Sequence, residues 1–265
     1  MPNVISSLST TLSSAVNSVQ KEIVSTQTQL ASGTKILNAA ELGIVTRLSA
    51  QATGYKSVSQ NIVAANNIIN VGQTALGSIS TILSQAKDIA TQSANAGLQT
   101  SDRTALNTTF LQLMAQVTSL IANAGVNGEN LLGTGTGLEV QVGITGTSQT
   151  TVAHLAMSLT SLGVNLSAVG TQADAQDAID DLTTALSSVS TYQSTLSASK
   201  TGLDASAAAA LSLSTNLQAT VDSIQNIDET ALQARLQQLN NQQSIDYYLI
   251  SQMNTAAAAA LAIFR

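Results

Sequence analysis

The chain has 265 residues, of which only 9% are charged and 2% aromatic, with a formal net charge of −6. Nine basic residues spread over this length form no cluster. This argues against a nucleic-acid partner, because neutralising phosphates requires grouped Lys and Arg. The only proline is Pro2, so no interior proline interrupts a helix. Small apolar residues diluted by Ser, Thr, Gln and Asn favour close, repetitive packing of long helices.

The first segment is predicted to be a helix with one apolar stripe. Apolar residues recur at spacings of three and four, with one slip, at Leu8, Leu12, Ala15, Val19, Ile23, Thr26 and Leu30. The N-terminus has no basic region followed by an apolar run, so it does not resemble a secretory signal peptide. Export, if it occurs, is expected to use a route without a cleaved signal.

The next segments carry a coiled-coil pattern. One seam position holds Ile62, Ile69, Leu76, Leu83 and Ala90, and the other holds Ala65, Gly72, Ile79 and Ala86. A shorter repeat from Leu106 to Leu120 predicts a third helix. Together these patterns predict two helices that pack along their apolar faces.

Residues 126–170 form the only region with a β-like pattern. Asn127-Gly128 is a typical hairpin turn. Residues 138–142 alternate apolar and polar side chains, as a half-buried strand does, and residues 151–155 are a candidate partner strand. We therefore expect a small β-hairpin here.

The last part of the chain returns to helical periodicity. A seven-residue repeat runs from Leu182 to Ile224, with Ala178, Leu213 and Thr220 among its partner positions. A helix over 172–226 would span roughly 80 Å at 1.5 Å per residue. The final helix is predicted to carry its apolar stripe first on Leu232, Leu236 and Leu239 and then, after a shift in phase, on Ile245, Leu249, Gln252, Ala256, Ala259 and Ile263.

These elements predict a mainly α fold, an elongated bundle of long coiled-coil helices with a small β-hairpin region. The most apolar run, residues 255–264, is shorter than the roughly 20 residues of a membrane span, so no membrane span is expected. Each terminal helix alone would expose its apolar stripe, and exposed apolar surface marks interaction sites. The two ends are therefore expected to pair with each other or to pack against other copies.

Four segments, in order, resemble bacterial flagellin. Residues 30–36, Leu-Ala-Ser-Gly-Thr-Lys-Ile, resemble the family's Leu-Ser-Ser-Gly-Leu-Arg-Ile. Residues 88–95, Asp-Ile-Ala-Thr-Gln-Ser-Ala-Asn, resemble its Glu-Leu-Ala-Val-Gln-Ser-Ala-Asn. Residues 126–132 resemble its Phe-Asn-Gly segment, and residues 260–265 resemble its apolar ending that closes on Arg.

The resemblance implies a short flagellin without large outer variable domains. It divides the chain into an N-terminal inner-core helix (1–35), an outer rod of three long helices with a hairpin at about 126–170 (36–226), and a C-terminal inner-core helix (227–265). It implies a structural subunit that self-assembles into the extracellular flagellar filament for motility. Export would use the flagellar type III route, with an export chaperone on the C-terminal helix and cap and junction proteins as further partners.

The resemblance also implies which residues contact other copies in the filament. The expected polymerisation interface comprises Leu8, Leu12, Val19, Leu30, Leu232, Leu236, Leu239, Leu249 and Ile263.

Some flagellins activate an innate immune receptor through an Arg, a Leu and a Glu. Their equivalents by alignment are Gln85, Ile89 and Gln116, so both charges are lost and weak or absent activation is expected.

Nothing in the sequence predicts an enzyme, a cofactor or a metal site. His154 is the only histidine, and no Cys or nearby carboxylate accompanies it in sequence, so it is interpreted as a structural or solvent-facing residue. Asp174, Asp177 and Asp181 can share one helix face but are interpreted as a solvated helix start. The Gly-rich stretch 133–146 lacks the Gly-Lys-Ser/Thr ending of a phosphate loop.

Two other functions stay open. A hook–filament junction protein would share the export route and the terminal helices but would not form long polymers. A flagellin-like cell-surface binding protein would bind a ligand without polymerising.

Overall fold

The computed structural model describes residues 2–165 and 167–263, with side-chain burial described for 7–165 and 167–259. The described residues form five helices and one two-stranded sheet. The helices are α1 (Pro2–Ser32), α2 (Ala39–Ser93), α3 (Thr100–Asn123), α4 (Gln172–Gln225) and α5 (Glu229–Ile263), and the strands are β1 (Leu138–Gln141) and β2 (Gln149–Val152). The predicted mainly α fold with long helices and a small hairpin is confirmed.

Side chains define where the long helices begin. Asn38 Oδ1 accepts from the backbone N–H groups of Ala40 and Glu41, and Glu41 Oε2 accepts from the N–H of Asn38 at 3.0 Å. Thr171 and Asp174 make the same reciprocal pair at the start of α4. These capping boxes satisfy backbone donors that a helix N-terminus leaves free.

The chain divides into two compact units. One contains residues 1–50 and 217–265, and the other contains residues 51–216. The division inferred from the resemblance, at residues 35/36 and 226/227, stays a prediction.

The core of the unit 51–216 is built from α2, α3 and α4. The predicted α2 seam residues Ile62, Ile69, Leu76 and Leu83 are all fully buried, as is Phe110 of α3. In α4 the fully buried seam residues include Ala175, Leu182, Ala185 and Leu196. The heptad pattern of the sequence therefore predicted this core correctly over most of its length.

One of the two seam positions of α4 moves by one residue near the C-terminal end of the helix. Leu213, predicted to face inward, is 45% exposed, and Ser214 instead donates from Oγ to the backbone oxygen of Ala52 at 2.8 Å. Likewise Val221, not Thr220, is buried. The other predicted seam position stays inward, since Ala210 is 2% exposed, so the order of the three- and four-residue spacings changes here and the seam as a whole does not turn away.

The predicted hairpin forms, but its second strand is Gln149–Val152 and not residues 151–155. β1 pairs antiparallel with β2, in a register that sets Leu138 opposite Val152. Asn127 and Gly128 both have positive φ, 55° and 87°, and Val126 and Glu129 exchange two backbone hydrogen bonds across them. This geometry is the type I′ turn that the Asn-Gly pair favours.

Candidate assembly interface on the terminal helices

α1 and α5 pack against each other in antiparallel orientation. Arg235 donates to the carboxylate of Glu22 at 2.8 Å, and Gln243, further along α5, donates to the side chain of Gln20, earlier on α1. Val19, Ile23 and Leu239 form a buried cluster between the two helices. The order of contacts is opposite along the two helices, so the predicted stripes do meet within one chain.

The inward face of α1 is a regular heptad seam. Its six members alternate spacings of four and three and are buried or half-buried: Leu12, Val16, Val19, Ile23, Thr26 and Leu30. The central ones, Val19 and Ile23, are each 5% exposed. Thr26 is tolerated there because its hydroxyl donates to the backbone oxygen of Glu22 at 2.8 Å.

The inward face of α5 continues without the predicted shift. Its buried and half-buried residues keep the heptad spacing throughout: Leu232, Leu236, Leu239, Gln243, Asp246, Ile250, Met253 and Ala257. Ile245 and Leu249, which continue the apolar stripe predicted after a shift, lie off this seam and are 59% and 45% exposed. Two of these inward positions hold polar residues, Gln243 and Asp246, so a pattern of apolar side chains does not reveal the rotation of this part of the helix.

Asp246 is the unusual member of this seam. It is 9% exposed, and its Oδ2 atom is buried without a hydrogen-bond partner among the described residues. Asp246 lies one heptad after Leu239 on this seam, and Val16, one heptad before Ile23 on the seam of α1, is also 9% exposed.

A second apolar surface of α5 faces away from α1. We call it the outer stripe, and it consists of Ile245, Tyr248 and Leu249, at spacings that place them on one helix face. They are 59%, 63% and 45% exposed. On α1, Leu8 and Val24 are also more than half exposed. The paired helices α1 and α5 thus bury one apolar face between them and leave other apolar side chains exposed.

The nine expected interface residues fall into distinct environments. Val19 and Leu239 are buried between α1 and α5, with Leu236 packed against them. Leu12, Leu30 and Leu232 are half-buried, whereas Leu8 and Leu249 are exposed. Ile263 ends α5, and its side chain lies outside those described. The seam members therefore serve contacts within the chain, and the exposed ones are available to another chain.

The connection between α1 and α2 is held by an ion pair. Lys35 Nζ lies 2.6 Å from Glu41 Oε1, and the backbone N–H of Lys35 donates to the oxygen of Gln225 at the end of α4. The Lys35 ammonium and the Asn38 N–H both stabilise the charged carboxylate, so the pKa of Glu41 is lowered from its ordinary value of 4.5. This connection joins the start of α2 to the end of α4.

The titratable residues considered from the sequence take structural positions. The His154 side chain is 11% exposed, with Nε2 3.8 Å from Glu129 Oε2. Asp174 Oδ2 accepts from the N–H of Thr171 at the start of α4 at 3.2 Å, and Asp181 accepts from Ser167 Oγ at 2.8 Å. Within the described ranges, no three His, Asp or Glu residues are grouped to hold a metal ion.

Two further expectations from the sequence concern the receptor-equivalent positions and the absence of a membrane span. Gln85 and Gln116 are exposed on α2 and α3, while Ile89 is half-buried against the core. Among the helices of the described residues, none carries an apolar stretch long enough to cross a membrane.

Comparison with known proteins gives a consistent family. Residues 5–136 match the bacterial flagellin N-terminal helical region. The chain is 32% identical over 123 residues to a flagellin of Listeria monocytogenes, covering 44% of this chain and 43% of that protein. It is 28% identical over 256 residues to flagellin FljO of Caulobacter vibrioides, covering 94% and 93% of the two chains. The match thus extends over less than half of the first relative and nearly all of the second.

A solved structure agrees with these relatives. The crystal structure of Bacillus cereus flagellin superposes with a TM-score of 0.50 at 26% identity, covering 56% of this chain and 85% of that one. The similarity therefore includes the arrangement of helices as well as the sequence.

Proposed function

We propose, since the chain belongs to the bacterial flagellin family, that it is a structural subunit that self-assembles into the extracellular flagellar filament and drives motility through that polymer. Its role is mechanical, not enzymatic. Its main partner is a second copy of itself.

One observation carries this proposal: α5 has an apolar surface on two sides. Its seam packs on α1, and its outer stripe, with Ile245, Tyr248 and Leu249 each at least 45% exposed, has no cover within the described chain. Exposed apolar surface of this kind favours association. In the filament we place the outer stripe against the terminal helices of neighbouring copies.

The composition of these helices supports a second copy as the partner. Between Arg235 and Arg265, Asp246 is the only charged residue, and residues 3–20 carry none. These stretches therefore add little electrostatic repulsion between copies. The run of alanines at 256–260 allows close approach of neighbouring helices. On assembly the terminal helices pair and stack into an inner tube.

The route to that assembly follows from the family. We infer export through the flagellar type III channel without a cleaved signal, with a chaperone covering α5 before export and with cap and junction proteins at the filament ends. The exposed outer stripe is the surface that such a chaperone would shield. Co-purification of the chain with the chaperone, abolished when α5 is deleted, would test this partner.

The direct test of the filament is negative-stain electron microscopy of the purified protein after addition of ammonium sulfate, which strengthens apolar burial. Long, uniform filaments are expected. If only monomers or short disordered aggregates formed, the filament proposal would be overturned in favour of a junction or surface-binding role.

We also infer weak or absent activation of the innate flagellin receptor. The exposed Gln85 and Gln116 carry no charge where activating flagellins have Arg and Glu. A reporter-cell assay should show little response to the wild-type chain. The double variant Gln85→Arg/Gln116→Glu is expected to raise the response, and strong activation by the wild type would contradict the inference.

A further inference from the structure

His154 is buried in the hairpin region without a hydrogen-bond partner for either ring nitrogen. Its side chain is 11% exposed, and neither Nδ1 nor Nε2 has a partner among the described residues. A buried polar atom that is left unpaired costs free energy, because it loses its hydrogen bonds to water and gains none in the protein. The neutral ring is therefore poorly satisfied in this position.

The carboxylate of Glu129 lies beside the ring but does not bind it. Glu129 Oε2 is 3.8 Å from Nε2 of His154, beyond the roughly 3.2 Å limit of an N–H···O hydrogen bond. The Glu129 side chain is 46% exposed, so it can change its rotamer without repacking the core. An approach of about 1 Å would give the distance of a charge-assisted hydrogen bond.

The backbone on both sides of this gap is held in place. Glu129 exchanges two backbone hydrogen bonds across the turn that follows α3. Leu155, the neighbour of His154, donates to the backbone oxygen of Leu131 at 2.8 Å. The ring itself lies against Gly135, where a Cβ would overlap it. Rotation of the Glu129 side chain is therefore the movement that closes the gap.

His154 is the only side chain between Arg103 and Lys200 that can carry a positive charge. The hairpin region contains two carboxylates, Glu129 and Glu139, and Glu139 is exposed on β1. Among the described residues, the ion pair of Glu129 is with His154. Burial opposes a charge on the ring, whereas a facing carboxylate favours it. A proton on the ring would therefore give Glu129 a cationic partner.

The helices of the same core add few other charges. α2 has no charged residue between Lys56 and Lys87, and α3 has none after its first turn. On α4, the charged residues between Asp181 and Asp222 are two, and these pair with each other at 3.3 Å as Lys200 Nζ and Asp204 Oδ2. Glu129 is thus the charged group that faces the ring.

We propose that His154 and Glu129 form a clamp that a proton closes. A histidine side chain gains a proton between about pH 8 and about pH 5, where carboxylates keep their charge. The protonated ring has an N–H on both nitrogens, and Nε2 then donates to Glu129 Oε2. The closed contact ties the turn after α3 to the segment after β2, so that the hairpin region is held more firmly in mildly acidic solution.

The first experiment measures amide hydrogen exchange by mass spectrometry on soluble, full-length subunits, compared at equal pH. Glu129→Gln keeps the shape of the side chain and removes its charge, and Glu139→Gln removes the same charge from an exposed site on β1 as the matched control. At about pH 5, peptides covering residues 124–135 and 150–157 should exchange about two- to fivefold more slowly in the wild type and Glu139→Gln than in Glu129→Gln. At about pH 8 the three proteins should agree.

Equal exchange in the wild type and Glu129→Gln at about pH 5 would overturn the proposal. So would an equal effect of Glu139→Gln, since net charge would then be the cause.

The second experiment reads the ring directly. Because His154 is the only histidine, isotope-labelled histidine gives a single imidazole in NMR spectra. A downfield Nε2–H proton, which marks a strong hydrogen bond, should appear in the wild type as the pH falls to about 5 and be missing from Glu129→Gln. Its absence from the wild type would overturn the clamp even if Glu129→Gln failed to fold. Neither measurement requires filaments, so both outcomes are independent of the proposed function.

Discussion

Arg235 of α5 donates to Glu22 of α1 at 2.8 Å, beside a seam in which Leu239 is 1% exposed. Both charged side chains are about half exposed, at 47% and 52%, so solvent screens the pair. The ion pair and the apolar contact are neighbours with very different expected energies. Comparing them shows what holds the terminal helices together.

Arg235→Ala is expected to lower the free energy of opening the α1–α5 pair by less than about 1 kcal/mol, because exposed ion pairs contribute little. Leu239→Ala is expected to lower it by about 2 kcal/mol or more, because it leaves a cavity in the seam. Hydrogen exchange of α1 and α5 amides measures both. A larger effect from Arg235→Ala than from Leu239→Ala would contradict this assignment.

Gly72 and Gly77 of α2 are expected to differ in how much alanine changes the stability of the fold. A Cβ at Gly72 would lie 3.1 Å from Leu196 Cδ1 in the buried α2–α4 contact, whereas one at Gly77 meets nothing within 4 Å. Gly77→Ala should therefore stabilise the fold by about 0.5–1 kcal/mol, through helix propensity alone. Gly72→Ala should gain less or destabilise. Chemical denaturation of the soluble subunit measures both, and equal gains would show that Leu196 moves away freely.

The position of the His154 ring is expected to require glycine at residue 135, because the ring occupies the space that a Cβ would need. A Cβ on Gly135 would overlap Nδ1 and Cε1 of the His154 ring, which is lodged over the glycine. Gly135→Ala should therefore lower stability by about 1–3 kcal/mol, as overpacking does. Thermal unfolding measures the loss. The double variant Gly135→Ala/His154→Ala removes the overlapping ring and should be less destabilised than the sum of the two single changes; strict additivity would count against this contact.

Much of this architecture could be predicted from the sequence, because apolar side chains mark the seams directly. Ile62, Ile69 and Leu76 follow one period and are buried together. The turn at Asn127-Gly128 could also be predicted, because few other residues adopt positive φ so readily.

The phase of α5 could not be predicted in the same way. Gln243 and Asp246 occupy inward positions that a hydrophobic pattern assigns to the surface, while Ile245 supplies a misleading apolar stripe one residue away. The exposure of Leu213 was missed because an apolar side chain marks the predicted position, whereas Ser214, which takes the inward position, is polar. Both errors concern the rotation of a helix about its axis, not its existence.

The Glu41 carboxylate gives a pH dependence to the connection before α2. Its pKa is lowered in the folded chain, so its stabilising contribution is fully present above 4.5 and is lost as the pH falls through the lower, folded-state value. An NMR titration of the carboxyl carbon measures that pKa. Lys35→Ala should raise it towards 4.5, since the hydrogen bond from Lys35 is the largest cause of the shift. No change in Lys35→Ala would show that the N–H of Asn38 alone sets the pKa.

Leu249→Asp is expected to block filament assembly while leaving the unit of residues 51–216 folded. Leu249 is 45% exposed, so an aspartate there is tolerated in the subunit but would be buried without a partner against another copy. Circular dichroism and thermal unfolding should match the wild type, and electron microscopy should show no long filaments. Gln233→Asp adds the same charge at an exposed site on α5 outside the outer stripe and should still polymerise. Long filaments from Leu249→Asp would show that the outer stripe is not an interface; loss of filaments in both variants would attribute the effect to net charge instead.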